Sequence, residues 1–315
     1  MRLLATAELP AVARRLLAPL GEVAVSRGAL VEEVADADVL VVRGERVDAQ
    51  VLAAGSRLRA IARTGAGVDN VDLAAASARG IPVVYAPGAG TGPIAEGTWA
   101  LILAAAKRLG ELRACIEQDR WGERYAIEGL DLHGATLGVV GLGAIGREVA
   151  RIGAAFGMEL LGADPKLPAD AALDVALERV ELEELVRRAD VLTFHCDLND
   201  STRGLVDRAL LMQAQRRPLL VNAARGGLVA SDELLLEALE QGWLSAVGLD
   251  VFAHEPLSPG SALLADPRVV CTPHSIGLTR RWNERVFGSL ARDLAAVLDG
   301  RRPRHLANPE AVSAA

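Results

Sequence analysis

Residues 136–165 read TLGVVGLGAIGREVARIGAAFGMELLGADP. The stretch opens on an apolar run of β-strand type, Leu137 to Val140, and turns through Gly141, Gly143 and Gly146. Apolar residues then recur at helical spacing at Ile145, Val149, Ile152 and Phe156. A second apolar run, Glu159 to Ala163, ends at Asp164. Strand, glycine turn, helix, strand and terminal acid form the order of a βαβ unit built for a dinucleotide. Gly141 permits the tight turn, Gly143 lets backbone approach a pyrophosphate, and Gly146 lets helix and strand pack closely. The helix N-terminus offers free N–H groups and a positive dipole end to phosphates. Asp164 stands where a carboxylate meets the ribose 2′-OH, about 20 residues past the glycines. The bland alternative is an ordinary βα turn in a ligand-free layer.

The flanking sequence repeats the alternation of strand and helix. Before the unit, strands are predicted at Leu3–Ala5, Val23–Val25, Val39–Val42, Leu58–Ala62 and Pro82–Tyr85, with helices at Ala11–Leu20, Asp48–Ala54 and Asp72–Arg79. A long helix is predicted from Pro93 through PIAEGTWALILAAAKRLGE, followed by an irregular segment, 111–135, that holds Trp121 and Tyr125. Two aromatics there mark a partner surface or cap the core. After the unit, strands are predicted at Val191–His195, Leu219–Asn222, Ala246–Leu249 and Val269–Cys271. Helices are predicted at Glu181–Arg188, Arg208–Ala214, Asp232–Gln241 and Thr279–Asp299. Alternation with short loops implies an α/β fold of mostly parallel sheets covered on both faces. The tail RRPRHLANPEAVSAA is expected to be extended and to return to the first domain.

The chain has 315 residues, enough for two domains, with 51% hydrophobic and only 3% aromatic residues, so its cores must be aliphatic. A net charge of −7 argues against a general nucleic-acid surface. Cys115, Cys196 and Cys271 lack metal-ligand spacing and read as reduced thiols, and no metal is expected. The N-terminus has no apolar core of signal-peptide type and no run reaches transmembrane length, so a cytoplasmic protein without membrane contact is expected.

Polar residues crowd the ends of several predicted strands. The segment Arg63-Thr64-Gly65-Ala66-Gly67 could turn backbone N–H groups toward an anion. The glycine-rich Ala86–Pro93 loop is open to the same use. Arg225 follows Asn222-Ala223-Ala224, Glu255 follows Asp250-Val251-Phe252-Ala253-His254, and His274 follows Cys271-Thr272-Pro273. Loops after consecutive strands of one sheet can converge at a single cleft.

Together these segments resemble the D-isomer-specific 2-hydroxyacid dehydrogenase family, the group of D-3-phosphoglycerate, D-lactate and glyoxylate/hydroxypyruvate reductases. The likeness runs through RTGAGVDNVD, IAEGTWALIL, GVVGLGAIG, VNAARGGLV, GLDVFAHEPL, TPHSIGLT and Asn308-Pro309-Glu310. It implies two Rossmann-like domains. A cofactor domain, 99–282, would be inserted into a flavodoxin-like substrate domain made of 1–98 and 283–315. It implies NAD as cofactor, contacted at Gly141, Gly143, Ala144, Ile145, Gly146, Asp164, Cys196, Ala223, Arg225, Asp250, His274 and Gly277. Arg225 would hold the substrate carboxylate, His274 would be the acid–base group, and Glu255 would pair with His274 and favour its protonated form. Gly65, Ala66 and Gly67 would bind the same small anionic substrate. His133, His195, His254 and His305 receive no part in the chemistry. A homodimer through residues 93–132, with Trp121 and Tyr125 as anchors, is implied as well.

This chain departs from the family at Gly90, where Asn is frequent, and at Asp197, where Pro is frequent; these touch the substrate and adenine sides respectively. No regulatory domain is expected after the tail. Two rivals share the fold: a NAD-sensing protein like the family's co-repressor branch, and a phosphite-oxidising relative that keeps the same three residues. A formate dehydrogenase would pair its histidine with Gln rather than Glu255.

Overall fold

The computed structural model describes residues 1–168 and 170–312, so Ser313, Ala314 and Ala315 of the expected tail lie outside the described residues. The chain divides into two compact units, 1–90 with 278–315, and 91–277.

In the first unit β1 (Arg2–Ala5), β2 (Glu22–Val25), β3 (Val39–Val42), β4 (Ala60–Arg63) and β5 (Val83–Val84) form a sheet in the order β2-β1-β3-β4-β5. Every pairing in it is parallel. Side chains alternate between faces, and both faces are covered. Leu3, Ala5, Val39 and Val41 enter one core, whereas Leu4, Leu40 and Val42 enter the other. That is why these strands read as unbroken apolar runs. The Arg280–Leu298 helix supplies Trp282, Phe287, Leu290 and Leu294 to the first core. Polar side chains set where helices start. Asp48, Asp72 and Thr279, predicted as first helical residues, instead cap the helices by accepting N–H bonds from the first turn.

The second unit contains β6 (Thr136–Val140), β7 (Glu159–Ala163), β8 (Glu178–Arg179), β9 (Val191–Phe194), β10 (Leu219–Asn222), β11 (Ala246–Leu249) and β12 (Val269–Cys271). Their order is β12-β11-β10-β9-β6-β7-β8, again with parallel pairs. The connections run in opposite directions on the two sides of the β6–β9 pair, which makes that pair the switch point where ligands settle. Aliphatic residues dominate the core, as the composition required. Its Trp99 stacks on Phe156 at 4.8 Å between centroids and donates its indole N–H to the Val149 carbonyl.

Four local expectations need correction. The helix predicted over Pro93–Glu111 runs from Thr91 to Ala106, and a second helix, Leu109–Glu117, enters the stretch expected to be irregular. Arg108 separates them with φ 54°, and its guanidinium bonds the Ser245 carbonyl. Gly110 stands just past the break, and a Cβ there would lie 2.6 Å from the Pro267 carbonyl oxygen, so the second helix approaches that backbone closely. Trp121 and Tyr125 do not cap a core: they are 60% and 80% exposed, with the Arg124 guanidinium over both rings. The strand expected from Leu58 begins at Ala60, and the helix expected over Arg208–Ala214 stops at Leu211. The short edge strand β8 has no counterpart in the sequence pattern. Among the described residues no helix is long and apolar enough to cross a membrane.

The tail is fastened to the first unit by Asn308, which is 1% exposed. Its side-chain oxygen accepts the Val83 N–H at 2.7 Å, and its amide donates to the Ile81 carbonyl at 2.9 Å and to Ser77 Oγ at 3.1 Å. Leu306 bridges Val84, and Ala307 N donates to Val83 O. Asn308→Ala leaves buried backbone groups without partners, which costs roughly 1–3 kcal/mol. Urea unfolding followed by circular dichroism should show the midpoint fall; an unchanged midpoint would refute the fastening role.

Candidate active site

The three glycines of the βαβ unit each show a different constraint. Gly141 has φ 91°, and a Cβ there would lie 2.7 Å from Cys196 N and from the His195 carbonyl carbon. The loops leaving β6 and β9 therefore touch at the switch point. A Cβ on Gly146 would lie 2.0 Å from the Gly141 carbonyl oxygen, so the helix sits hard against the turn. A Cβ on Gly143 would meet nothing within 4 Å: that glycine faces open space. Gly143 caps the Ala144–Ala155 helix without a side-chain bond, which leaves its first N–H groups available to phosphates. Ala144 is exposed there, and Ile145 packs on the core beneath.

This turn opens on a cavity of about 840 Å³ lined by Gly141, Gly143, Asp164, Lys166, Arg179 and Cys196, among others. The Asp164 carboxylate is held in place by two backbone donors, Leu142 N at 2.8 Å and Lys166 N at 2.9 Å. Burial pushes the Cys196 thiol up to about 11, so it is a neutral wall of the cavity. Burial pushes His195 down to about 3, and its neutral ring bonds Thr193 Oγ1. An uncapped helix end, an unobstructed glycine and an anchored carboxylate fit a dinucleotide.

At the far side of the same sheet edge, β10, β11 and β12 release the loops that carry Arg225, Glu255 and His274. Asn222 shapes the first loop: its amide donates to the Arg225 carbonyl at 2.8 Å, and its oxygen accepts the Ala224 N–H at 3.1 Å. The half-buried Ala223 lies inside this turn. Gly226 brings the first loop onto the second, because a Cβ there would lie 1.8 Å from the Phe252 carbonyl oxygen. Arg225 is half-buried, donates to the Ala224 carbonyl, and acts electrostatically on Glu255. Glu255 Oε1 accepts the Phe252 N–H at 3.1 Å, and Oε2 lies 2.7 Å from His274 Nδ1. Burial works to raise the Glu255 carboxyl, but the bond and charge of His274, helped by Phe252 and Arg225, hold it below the usual range. With Nδ1 turned to Glu255, Nε2 is the His274 nitrogen left to exchange a proton.

Asp250 secures the third loop. Its carboxylate, in a residue 3% exposed, accepts bonds from Thr272 Oγ1 at 2.7 Å, Ser275 N at 2.8 Å and Ile276 N at 3.2 Å. Its carbonyl accepts the His274 N–H. That grip holds His274 at φ 49°, an uncommon conformation for a residue with a side chain. Gly277 follows in a turn where a Cβ would press on Ile94 at 2.8 Å. His254 is exposed beside the pair.

Sequence reasoning marks Asp250 as a cofactor contact and does not see that it anchors His274. It also misses Asn222 and Leu142 N as positioning groups; an Asn ending a buried strand before a turn is the available signal. In the first unit Gly65 has φ 155° and its N–H is engaged by the Arg63 carbonyl at 3.0 Å. Ala66 and Gly67 keep their N–H groups without a partner among the described residues.

Comparison with known proteins places this architecture. Residues 99–275 match the family described as D-isomer specific 2-hydroxyacid dehydrogenase, NAD binding domain. The D-3-phosphoglycerate dehydrogenase of Methanocaldococcus jannaschii is 38% identical over 98% of this chain, which spans 59% of that protein. The glyoxylate reductase of Aeropyrum pernix is 37% identical over 90% of this chain and 86% of its own length. The crystal structure of TT0316 protein from Thermus thermophilus superposes with a TM-score of 0.87 at 39% identity, covering 98% of this chain and 100% of that one. The chain belongs to the D-isomer-specific 2-hydroxyacid dehydrogenases and is built to bind NAD.

Proposed function

We propose that this protein interconverts a small D-2-hydroxy acid and its 2-oxo acid, with Arg225, His274 and Glu255 as the working residues. The observation that supports this most is the 2.7 Å contact between His274 Nδ1 and Glu255 Oε2, beside Arg225 on the neighbouring loop. Bound NAD(H) supplies or accepts the hydride. Arg225 binds the substrate carboxylate and polarises the C2 oxygen, a task suited to a planar guanidinium. His274 Nε2 gives that oxygen a proton in reduction and takes it back in oxidation. Glu255 orients the ring and stabilises the imidazolium as it forms. The N–H groups of Ala66 and Gly67, with the Gly65 turn that presents them, are proposed to bind carboxylate too. The two relatives act by name on phosphoglycerate, a 2-hydroxy acid, and on glyoxylate, a 2-oxo acid.

Arg225→Ala should lower kcat/KM for 2-oxo acid reduction by about a hundredfold or more, the loss expected when a buried charge pair is cut. NADH affinity should change little. His274→Ala should lose about a hundredfold to ten-thousandfold in both directions. A panel of 2-oxo acids followed by NADH absorbance is the assay, and wild-type rates in either variant would remove that residue from the site.

Asp164 sets the preference between cofactors. Its anchored carboxylate accepts bonds from a ribose 2′-OH and repels a 2′-phosphate, against the opposing charges of Lys166 and Arg179 on the same cavity. NADH should therefore give a higher kcat/KM than NADPH. Equal values for the two would contradict this role for Asp164.

The pH profile follows from the pair. Reduction takes up a proton through His274 Nε2 and oxidation releases one, so kcat/KM for reduction should fall as pH rises, and oxidation should do the reverse. Glu255 has a depressed carboxyl, so its share of the pairing is present above the ordinary carboxylate range and disappears only as pH falls through its lowered value. Glu255→Gln keeps the shape and removes the charge. The reductive limb should then move to lower pH. Coincident limbs, or a shift to higher pH, would mean that the acid has another partner.

A further inference from the structure

The loops leaving β10, β11 and β12 carry the active site, and the segments entering β9 to β12 meet at the opposite end of the same sheet. There they enclose a cavity of about 410 Å³ lined by Arg108, Arg216, Arg217 and Arg268. Four guanidiniums at one opening demand counterions, and the protein supplies them unevenly. Arg108 pairs with Glu111 at 2.6 Å, and Arg268 pairs with Asp266 at 2.6 Å. Arg216 reaches Asp190 at 3.1 Å through Nη1 alone, and that carboxylate already accepts the Thr136 N–H. Arg217 has no carboxylate partner among the described residues. Its Nε donates to the Gly242 carbonyl at 3.0 Å, which leaves both terminal nitrogens without a hydrogen bond among the described residues.

The backbone carries a second, independent sign. Among the described residues four non-glycine positions have positive φ: Arg108, Asp119, Arg217 and His274. Two of the four therefore line this cavity, and a third is the proposed acid–base residue. Such conformations persist where the surroundings over-determine them, and they cluster at ligand sites. Glycine would adopt φ 49° at position 217 without penalty, yet the chain holds an arginine there.

We propose that this cavity is a second ligand site, for a small molecule whose doubly charged oxyanion is gripped by Arg216 and Arg217. A phosphomonoester and a compact dicarboxylate share that chemistry, and a guanidinium fork matches either. The volume falls within the range of small-molecule sites. Glu128 lines the same cavity without a basic partner among the described residues, and Asp190 adds a second carboxylate. These acids repel a second anionic arm and accept hydrogen bonds from hydroxyls. The ligand thus carries its charge at one end and hydroxyl donors at the other.

The test is calorimetric titration of the NADH-bound protein with inorganic phosphate and, separately, with malonate. It is run on Arg225→Ala, so that anions held at the active site do not contribute. One binding event should remain, and adding Arg217→Gly should weaken it by about tenfold or more, the loss of a charge-assisted pair of bonds. Tighter binding of phosphate than malonate assigns the site to phosphomonoesters, and the reverse assigns it to dicarboxylates. The melting temperature without anion should hold or rise in Arg217→Gly, because glycine suits that backbone. Absence of any binding in Arg225→Ala, an unchanged Kd in the double variant, or a drop in the ligand-free melting temperature with Arg217→Gly would each overturn the proposal.

Discussion

The site depends on one buried carboxylate. Asp250 sits at the end of a strand with 3% exposure and accepts three side-chain or backbone bonds from the turn that carries His274. A carboxylate in that position is costly: burial raises its affinity for a proton, and the bonds from Thr272, Ser275 and Ile276 only partly oppose this. Its sign is the reverse of Glu255. Asp250 subtracts from stability when ionised and the subtraction lessens as pH falls, whereas Glu255 adds to stability when ionised and loses its share in acid. The fold gives up stability at Asp250 and in return holds a histidine in a conformation that its side chain disfavours. Acid–base groups are commonly positioned at such a cost.

The same logic explains the switch point. Loops after β6 and β9 touch because Gly141 lacks a side chain, and the helix reaches the turn because Gly146 lacks one. These two glycines are required by the protein's own backbone. Gly143 is different: nothing in the protein crowds it, and it lines the open cavity. Two glycines fixed by the protein's own backbone and one that faces open space thus stand within six residues of sequence.

Much of this is legible in the sequence, for physical reasons that can be named. Strands such as Leu219–Asn222 and Ala246–Leu249 are buried on both faces, so their apolar runs end where the strands end. The glycine spacing of the βαβ unit is fixed by close approach and survives in the letters. What escapes is conformation imposed from a distance. Arg108 interrupts a helix where its guanidinium bonds Ser245 and Glu111, and Gly110 beside it reads equally well as a glycine tolerated inside one continuous helix. His274 and Arg217 take positive φ without the Gly or Asn that would signal it. Asp250 reads as a ligand contact because its acidity is visible and its burial is not. β8 spans only Glu178 and Arg179, too short for a pattern.

Asn308 has a consequence for how the chain comes to be folded. Its bond to Val83 joins positions separated by 225 residues, and the whole second unit lies between them. On a ribosome adding about 5–20 residues per second, roughly 10 to 45 seconds pass between the emergence of the two partners. For most of that interval β1 to β5 exist without the Trp282–Leu294 helix face that completes one of their cores. The inserted unit, being continuous, can close its sheet first. The first unit therefore waits with an aliphatic sheet face covered only in part, by Ala13 and Leu17 of its first helix, and that makes it the part of the nascent chain most open to non-native contacts.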